Sequence, residues 1–279
     1  MSNTVRPFEM KTIASDSTVL VLGKRGSGKS WLLRDIMYHQ RHLLKGIVMS
    51  GTDFVQSFFS QFIPEILIYS DYQSKRMEEL MESQANDIIK NREQGLSKNG
   101  KTRDNNVFVI IDDLQDMSNV WKRETTIKTI FYNGRHYNIF FLLALQYMKG
   151  ITPDLRENIN YVFLYNQQNI ANKKKLFEEF GGVCGSFKKF DEMLKLCTQD
   201  YRCLVINTSG KTFNETFFHY KAQEHGSFRV CHPKLWEHQK KYLNNNYRAR
   251  GITNDTFSDA KKVKVMMSRD GNITGFKAI

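Results

Sequence analysis

The chain has 279 residues, 41% of them hydrophobic and 25% charged, which is the composition of an ordinary soluble globular protein. Its formal net charge of +12 favours a polyanionic partner, nucleic acid before a membrane, although a basic surface can also serve solubility alone. The longest apolar run, IFFLLAL from Ile139, is too short to span a bilayer, and the first residues lack the apolar core of a signal peptide.

The first predicted elements are a buried strand and a helix joined by a glycine-rich loop. An apolar run from Val19 to Leu22 predicts the strand, and apolar residues spaced three to four apart after Ser30 predict the helix. The loop GKRGSGKS fits G-x-x-x-x-G-K-[ST], a pattern whose backbone N–H groups surround phosphates. The residues predicted to bind the nucleotide are Gly23, Lys24, Arg25, Gly26, Ser27, Gly28, Lys29 and Ser30.

Two side chains of this loop carry the predicted chemistry. Lys29 is expected to reach the β- and γ-phosphates of ATP, and the Ser30 hydroxyl is expected to hold Mg²⁺. The glycines allow the positive φ and the close backbone approach that such a loop requires. The alternative is a chance match in a glycine-rich turn between a strand and a helix.

Further apolar runs predict a parallel sheet. GIVMSGT from Gly46 and EILIYS from Glu65 are expected strands, followed by a polar helix from Gln73 to about Gln94. The basic segment GLSKNGKTRDNN, with Lys98, Lys101 and Arg103, is expected to be a mobile loop. The runs VFVIIDD, NIFFLLALQ and INYVFLYN then alternate with helical stretches, as βαβ units do.

An acidic pair ends one of these strands. Asp112 and Asp113 follow the apolar run that begins at Val107, so a parallel sheet would place them at the edge that also carries the glycine loop. Asp112 is predicted to hold the Mg²⁺ shell, and Asp113 to orient or deprotonate the attacking water. The alternative is an Asp-Asp pair that caps a following helix.

The next apolar strand ends in Gln146. Its side-chain amide is predicted to contact the γ-phosphate and the attacking water, so that it senses which nucleotide is bound. A polar residue at the end of a strand, without any role in catalysis, is the alternative.

Two arginines are candidates for a catalytic group supplied to a neighbouring subunit. Helical spacing from Val120 to Phe131 predicts a helix capped at Asn133-Gly134, and Arg135 follows directly. An exposed arginine there could neutralise charge in a neighbour's ATP site, or it could instead satisfy the last carbonyls of its own helix. Arg156 is the second candidate, and the sequence does not choose between them.

The remainder of the chain predicts helices at Ala171 to Phe180 and Phe187 to Cys197, then closing strands in YRCLVIN and KTFNETFFHY. From Pro233 the chain is expected to be helical and then basic and flexible. We therefore predict a motor domain over residues 1–230 and a basic C-terminal extension over residues 231–279.

The four cysteines contain no C-x-x-C pair, which argues against a zinc site and for reduced, structural thiols in an intracellular protein. They are Cys184, Cys197, Cys203 and Cys231.

The order of these motifs resembles the DNA-packaging ATPases of nucleocytoplasmic large DNA viruses and virophages, within the FtsK–HerA superfamily. The resemblance covers roughly Thr18 to Asn166 and is carried by GKRGSGKS, VFVIIDD, NGRHYNIFFLLALQ and LRENINYVF. It implies an α/β P-loop NTPase fold of RecA/FtsK-like type, with a central, mostly parallel sheet flanked by helices.

The resemblance also implies a function. It implies a homo-oligomeric, ATP-driven ring that pumps double-stranded DNA into a preformed capsid, with a capsid or portal-vertex protein as partner, in the host cytoplasm or virion. It assigns Lys29 and Ser30 to the P-loop, Asp112 and Asp113 to the Walker B acids, and Gln146 to the sensor, with Arg135 as a candidate finger. Cellular members mostly have glutamate where this chain has Asp113, and the shorter side chain weakens the prediction of a catalytic base.

Two rival functions stay open at this point. A helicase or DNA-transfer ATPase would share the same core chemistry, and a nucleotide-binding structural component would not hydrolyse ATP at all. A GTPase is disfavoured because the nearest guanine-recognition string, NKKK from Asn172, lacks the required aspartate.

Overall fold

The computed structural model describes residues 4–93, 105–114, 117–148, 151–242, 263–267 and 273–278. The strands in the main body are β1 Arg6–Pro7, β2 Thr18–Leu22, β3 Lys45–Ser50, β4 Ile68–Tyr69, β5 Val107–Asp112, β6 Ile139–Leu145, β7 Tyr161–Leu164, β8 Arg202–Asn207 and β9 Phe217–Lys221. The helices are α1 Lys29–His39, α2 Asp53–Gln56, α3 Ser74–Glu93, α4 Ser118–Trp121, α5 Thr125–Asn133, α6 Pro153–Arg156, α7 Ile170–Phe180, α8 Phe187–Cys197, α9 Phe213–Thr216 and α10 Pro233–Tyr242. Short 3₁₀ turns lie at Met10–Thr12, Phe59–Gln61, Glu65–Leu67, Gly134–Tyr137 and Gly182–Cys184.

The nine strands of the described main body form one sheet in the order β1-β9-β8-β7-β2-β6-β5-β3-β4. Its pairs are parallel except those that involve β8, which runs against both of its neighbours. The predicted α/β class with a mostly parallel central sheet is therefore confirmed. The carboxyl ends of β2, β3, β5, β6 and β7 consequently lie at one edge.

Alternate residues of each buried strand face two separate cores, as a sheet with helices on both sides requires. In β2, Leu20 and Leu22 pack with α5, α7 and α8, whereas Val19 and Val21 pack with α1 and the aromatic residues of the 59–62 turn. These strands are nearly devoid of polar side chains because neither face meets water.

Two expected strands are shorter than the sequence suggested. In EILIYS, Glu65–Leu67 forms a 3₁₀ turn and only Ile68–Tyr69 pairs with β3. Pro64 precedes this turn with φ −55°, and its carbonyl accepts a hydrogen bond from the Leu67 N–H, which closes the turn before the strand can begin.

In KTFNETFFHY the first half forms the helical turn α9 rather than a strand. A capping box causes this, because the Thr212 and Glu215 side chains each bond the other's backbone N–H. The expected helix from Val120 to Phe131 is likewise divided into α4 and α5 by residues 122–124.

Residues near the predicted domain boundary at residue 230 pack against the main body of the chain. The Val230 N–H donates to the Phe62 carbonyl, and Leu235 of the predicted extension is fully buried in the core. The α10 helix therefore shares a hydrophobic core with the sheet, through Leu235. Further on, β10 Val263–Met267 and β11 Ile273–Ala278 form an antiparallel pair.

The predicted basic loop at Lys98, Lys101 and Arg103 lies outside the described residues. In the described part of the chain, no helix is both long enough and apolar enough to span a membrane.

Candidate nucleotide-binding site

The glycine-rich loop connects β2 to α1, as the sequence predicted, and each of its three glycines has a physical reason. Gly26 and Gly28 have φ values of +77° and +100°, which favour residues without a Cβ. Gly23 is instead crowded, because a Cβ there would lie 2.6 Å from the Ser27 Oγ and 2.9 Å from the Tyr165 ring. The loop is therefore a compact turn whose backbone leads back to the start of α1.

Lys29 opens α1, and its ammonium group folds back onto this loop. Its Nζ donates to the Gly23 carbonyl at 2.6 Å and to the Lys24 carbonyl at 3.2 Å. Burial lowers the pKa of Lys29, while Asp112 and Asp113 oppose that change. The cation therefore lies between the loop backbone and the acidic pair.

Asp112 is the last residue of β5 and is 8% exposed. The Ser50 hydroxyl, from the end of the adjacent strand β3, donates to its Oδ2 at 3.4 Å. Burial, and next the charge of Asp113, raises the pKa of Asp112 to about 7, although Lys29 and the Ser50 bond act in the opposite direction. A cation close to such a buried carboxylate would strongly stabilise its charged form.

Asp113 follows in a left-handed backbone conformation, with φ +52°. This turn directs its half-buried carboxylate away from the strand, where Oδ1 accepts a hydrogen bond from the Gln146 Nε2 at 3.0 Å. Aspartate tolerates a positive φ better than most residues, and the longer glutamate does not share that preference.

Strand register brings Gln146 between the loop and the acids. β6 lies between β2 and β5, the Gly23 N–H donates to the Leu145 carbonyl at 3.1 Å, and the Asp113 N–H donates to the Ala144 carbonyl at 3.4 Å. The glycine loop, Gln146 and the acidic pair therefore share one edge.

These groups line one cavity of about 540 Å³. Its lining includes most of the predicted phosphate-binding loop, both aspartates and Gln146, and it adds residues that the sequence analysis did not select. The added residues are Trp31, Thr52, Gln56, Tyr201, Lys221 and Ala222. A larger cavity of about 600 Å³ lies elsewhere, lined by Val5, Leu196 and Phe213 among others, and contains none of the predicted site residues.

Two tyrosines near the loop escaped the sequence analysis. The Tyr165 hydroxyl, just beyond β7, donates to the Gly28 carbonyl at 3.1 Å and holds the loop from the side. Tyr201 lies at the cavity with its side chain exposed and has φ +60°. The Tyr165 position at the end of a predicted strand of the same sheet was the available signal, whereas nothing in the local sequence marks Tyr201.

The two candidate arginines lie apart from this cavity. Arg135 belongs to the 3₁₀ turn before β6, and its Nε lies 3.5 Å from Asp16, which precedes β2. Both residues precede their strands, so Arg135 lies at the sheet edge opposite the glycine loop of its own chain. Its side chain is 85% exposed.

The predicted cap before Arg135 is confirmed in position, because α5 ends at Asn133 and Gly134 is its C-cap. Gly134 has φ −53° rather than a left-handed conformation, so the chain continues in the 3₁₀ turn Gly134–Tyr137, which ends at the left-handed residue Asn138, with φ +52°.

Arg156 is buried at 5% exposure, donates from Nε to the Ile151 carbonyl at 2.9 Å and pairs with Glu179. Its interior position and its bonds within the chain favour a structural role over transfer to a neighbour's site.

Comparison with known proteins identifies the family. Residues 6–218 match the family described as Poxvirus A32 protein. This chain belongs to that family. The resemblance to viral DNA-packaging ATPases is therefore confirmed at the level of the family.

Individual similarities agree with this membership. An uncharacterized protein of Acanthamoeba polyphaga mimivirus is 33% identical over 242 residues, covering 86% of this chain and 84% of the relative. Among solved structures, the genome packaging NTPase of Sulfolobus turreted icosahedral virus 2 in complex with sulfate has a TM-score of 0.53 at 16% identity, covering 77% of this chain and 100% of that one. The same NTPase in complex with ATP-gammaS has a TM-score of 0.51 at 14% identity, covering 75% and 98% of the two chains. At these identities the structural similarity shows a common fold.

Proposed function

We propose that this chain is a Mg²⁺-dependent ATPase that translocates double-stranded DNA and packages a viral genome into a capsid. The observation that carries the proposal is the cavity in which Lys29, Asp112, Asp113 and Gln146 meet at one sheet edge. Membership of the A32 family and the fold shared with a packaging NTPase that binds ATP-gammaS support the same activity.

The loop and α1 fit a triphosphate. Their backbone N–H groups and the positive end of α1 attract phosphate oxygens, and Lys29 would exchange its two loop carbonyls for those oxygens. The Ser30 hydroxyl and the Asp112 carboxylate are oxygen donors of the type Mg²⁺ prefers, so these two residues would hold the ion. Mg²⁺ at this position supplies charge neutralisation for the transferred phosphoryl group.

Asp113 and Gln146 are the groups best placed to act on water. Their side chains are hydrogen-bonded to each other, so the Gln146 amide orients the carboxylate that would accept a proton from the attacking water. Because the same amide can turn toward a γ-phosphate, this bond would change with the nucleotide state. The second acid and the glutamine would thus act as one unit.

A ring that moves DNA has to couple ATP hydrolysis in one subunit to the neighbouring subunit. The opposite-edge position and the exposure of Arg135 allow it to enter another subunit's cavity if the ring places those two edges together. Mixing subunits that carry Arg135→Ala with subunits that carry Lys29→Ala tests this role. Recovery of activity in the mixture supports action across an interface, and a mixture that assembles but stays inactive argues against it.

The +12 charge suits contact with the phosphate backbone of DNA, which is sequence-independent and sensitive to salt. The decisive assay is the ATPase rate with and without duplex DNA over a salt series, with Lys29→Ala as the inactive control. Stimulation that declines with salt supports a translocase. Strand separation on a forked substrate would indicate a helicase instead, and nucleotide binding without turnover would indicate a structural component.

A further inference from the structure

A cluster of three potential metal ligands lies beside the helix that follows the glycine loop. Asp35 and His39 occupy the same face of α1, one turn apart, and His225 approaches them from residues 222–228, which we call the strap. One ligand atom from each residue lies within 4.8 Å of the other two. The nucleotide site uses none of these side chains.

The carboxylate at the centre of the cluster is fixed from one side. Asp35 is fully buried, and its Oδ2 accepts hydrogen bonds from the Tyr220 hydroxyl and the Gln223 N–H, both at 2.7 Å. These bonds leave Oδ1 facing two imidazoles, with the His225 Nε2 at 2.7 Å and the His39 Nε2 at 3.5 Å. Outer hydrogen bonds of this kind orient the ligating oxygen in many metal sites.

The two histidines are also held in place. The Tyr38 ring stacks on His225 at 3.6 Å with an interplanar angle of 8°, which fixes the imidazole plane. The His39 ring meets the His225 ring edge to face, with 5.7 Å between the ring centroids. Their side chains remain 20% and 15% exposed, which leaves access for an ion and a water molecule.

We propose that Asp35, His39 and His225 bind a divalent transition-metal ion of the zinc class. Two imidazole nitrogens and one carboxylate oxygen form a common donor set for zinc, with water in the fourth position. Ligand atoms of a tetrahedral zinc site lie about 3.3 Å apart, given metal–ligand bonds of about 2.0 Å. The cluster therefore needs only small side-chain movements to close around an ion, and Asp35 would exchange its bond to His225 for a shared bond to the metal.

An ion bound at the cluster would connect two segments that lie near the nucleotide cavity. Arg34 already donates to the carbonyls of His225 and Gly226, at 2.8 and 2.9 Å, so the strap lies along α1. Ala222, the first residue of the strap, and Lys221, the last residue of β9, line the nucleotide cavity. A metal at the cluster links the phosphate-binding helix to the wall of the cavity.

Zinc titration of the 279-residue chain tests the site. The protein is stripped with a chelator, and its affinity for zinc is measured by competition with a coloured chelator in the absence of nucleotide. Wild type should bind one equivalent at this site, and His39→Gln should weaken binding by more than about tenfold. Glutamine keeps the helix propensity of α1, and His136→Gln, at an exposed histidine in another turn, is the matched control.

Two further measurements keep the test independent of the nucleotide site and of variant folding. Asp112→Asn should leave zinc affinity unchanged, whereas loss of zinc binding in that variant would place the ion among the nucleotide-site acids and overturn the proposal. Cobalt added to the wild-type protein should give visible bands of a nitrogen- and oxygen-ligated ion. Absence of these bands, thiolate charge-transfer bands, or equal zinc affinity in wild type and His39→Gln would each refute the assignment.

Discussion

The buried carboxylate of Asp112 predicts a stability penalty that magnesium should remove. The pKa of Asp112 is raised to about 7 in the folded chain, first by burial and then by Asp113, whereas an unfolded aspartate titrates near 3.9. The folded state therefore holds its proton to a higher pH than the unfolded state does. The contribution of Asp112 to the free energy of unfolding is therefore fully present below about pH 4, and it is lost as the pH rises to about 7.

The size of the penalty follows from the difference between the two pKa values. At about 1.4 kcal/mol for each pKa unit, the penalty approaches about 4 kcal/mol above pH 7 and is about 1.5 kcal/mol at about pH 5. Asp112→Asn removes the charge and preserves the shape and the acceptor for Ser50. The stability of this variant relative to wild type should therefore increase by about 2–3 kcal/mol between about pH 5 and about pH 8.

Urea unfolding followed by circular dichroism, without Mg²⁺ or nucleotide, measures this difference. Adding Mg²⁺ and a non-hydrolysable ATP analogue at the higher pH should then stabilise wild type more than Asp112→Asn, because only the carboxylate binds the ion strongly. A stability difference that stays constant over this pH range would refute the reasoning, as would equal stabilisation of both proteins by the analogue with Mg²⁺.

The other predictions concern the loop and its neighbours. Asp113→Asn should bind ATP normally but hydrolyse it at least about 100-fold more slowly, because asparagine keeps the positive φ and the contact with Gln146 but cannot accept a proton. Gly23→Ala should abolish nucleotide binding in a fluorescence assay because its Cβ would meet Ser27 and Tyr165, whereas Gly182→Ala, which meets nothing within 4 Å, should bind as wild type does. Tyr165→Phe should weaken ATP affinity by about three- to tenfold, since the loop loses one hydrogen bond of about 1 kcal/mol.

Each of these predictions has a clear contrary result. Unimpaired hydrolysis by Asp113→Asn would remove the proposed proton acceptor. Wild-type binding by Gly23→Ala would show that the loop has more room than its geometry allows. An unchanged affinity in Tyr165→Phe would mean that the hydroxyl does not position the loop.

The parallel sheet could be predicted from sequence because its strands are buried on both faces. Such strands are continuous apolar runs. The apolar runs in the sequence match the observed bounds of β2, β5 and β6 almost residue for residue. Strands of one direction end at the same edge of a sheet, so the sequence also predicts that Lys29 and Asp112 lie at one edge.

Local turn chemistry accounts for what the patterns missed. The apolar residues before Ile68 and after Thr212 satisfy strand propensity, but a proline-initiated 3₁₀ turn and a capping box determine their conformation. The capping box is present in the sequence as T-x-x-E, a pattern that indicates the start of a helix rather than a strand at α9. Propensity alone could not reveal it because Phe213 and Phe217 favour strands elsewhere.

Contacts between distant segments could not be predicted from a single sequence. Tyr201 lies at the nucleotide cavity in the turn before β8, and His225 contacts α1 from the segment after β9. Neither position carries a local motif, because their roles depend on the long-range pairing that places β8 and β9 beside β7. The interior location of Arg156 is equally a property of the packed helices rather than of the surrounding residues.

The most direct test of the central claim is steady-state ATP hydrolysis by the purified chain with Mg²⁺ and duplex DNA. Wild type and Lys174→Ala, which alters an exposed lysine on α7, should turn over ATP at the same rate, and Lys29→Ala should show no activity above background. Hydrolysis by Lys29→Ala at the wild-type rate would contradict the assignment of the β2–α1 loop as the catalytic phosphate site.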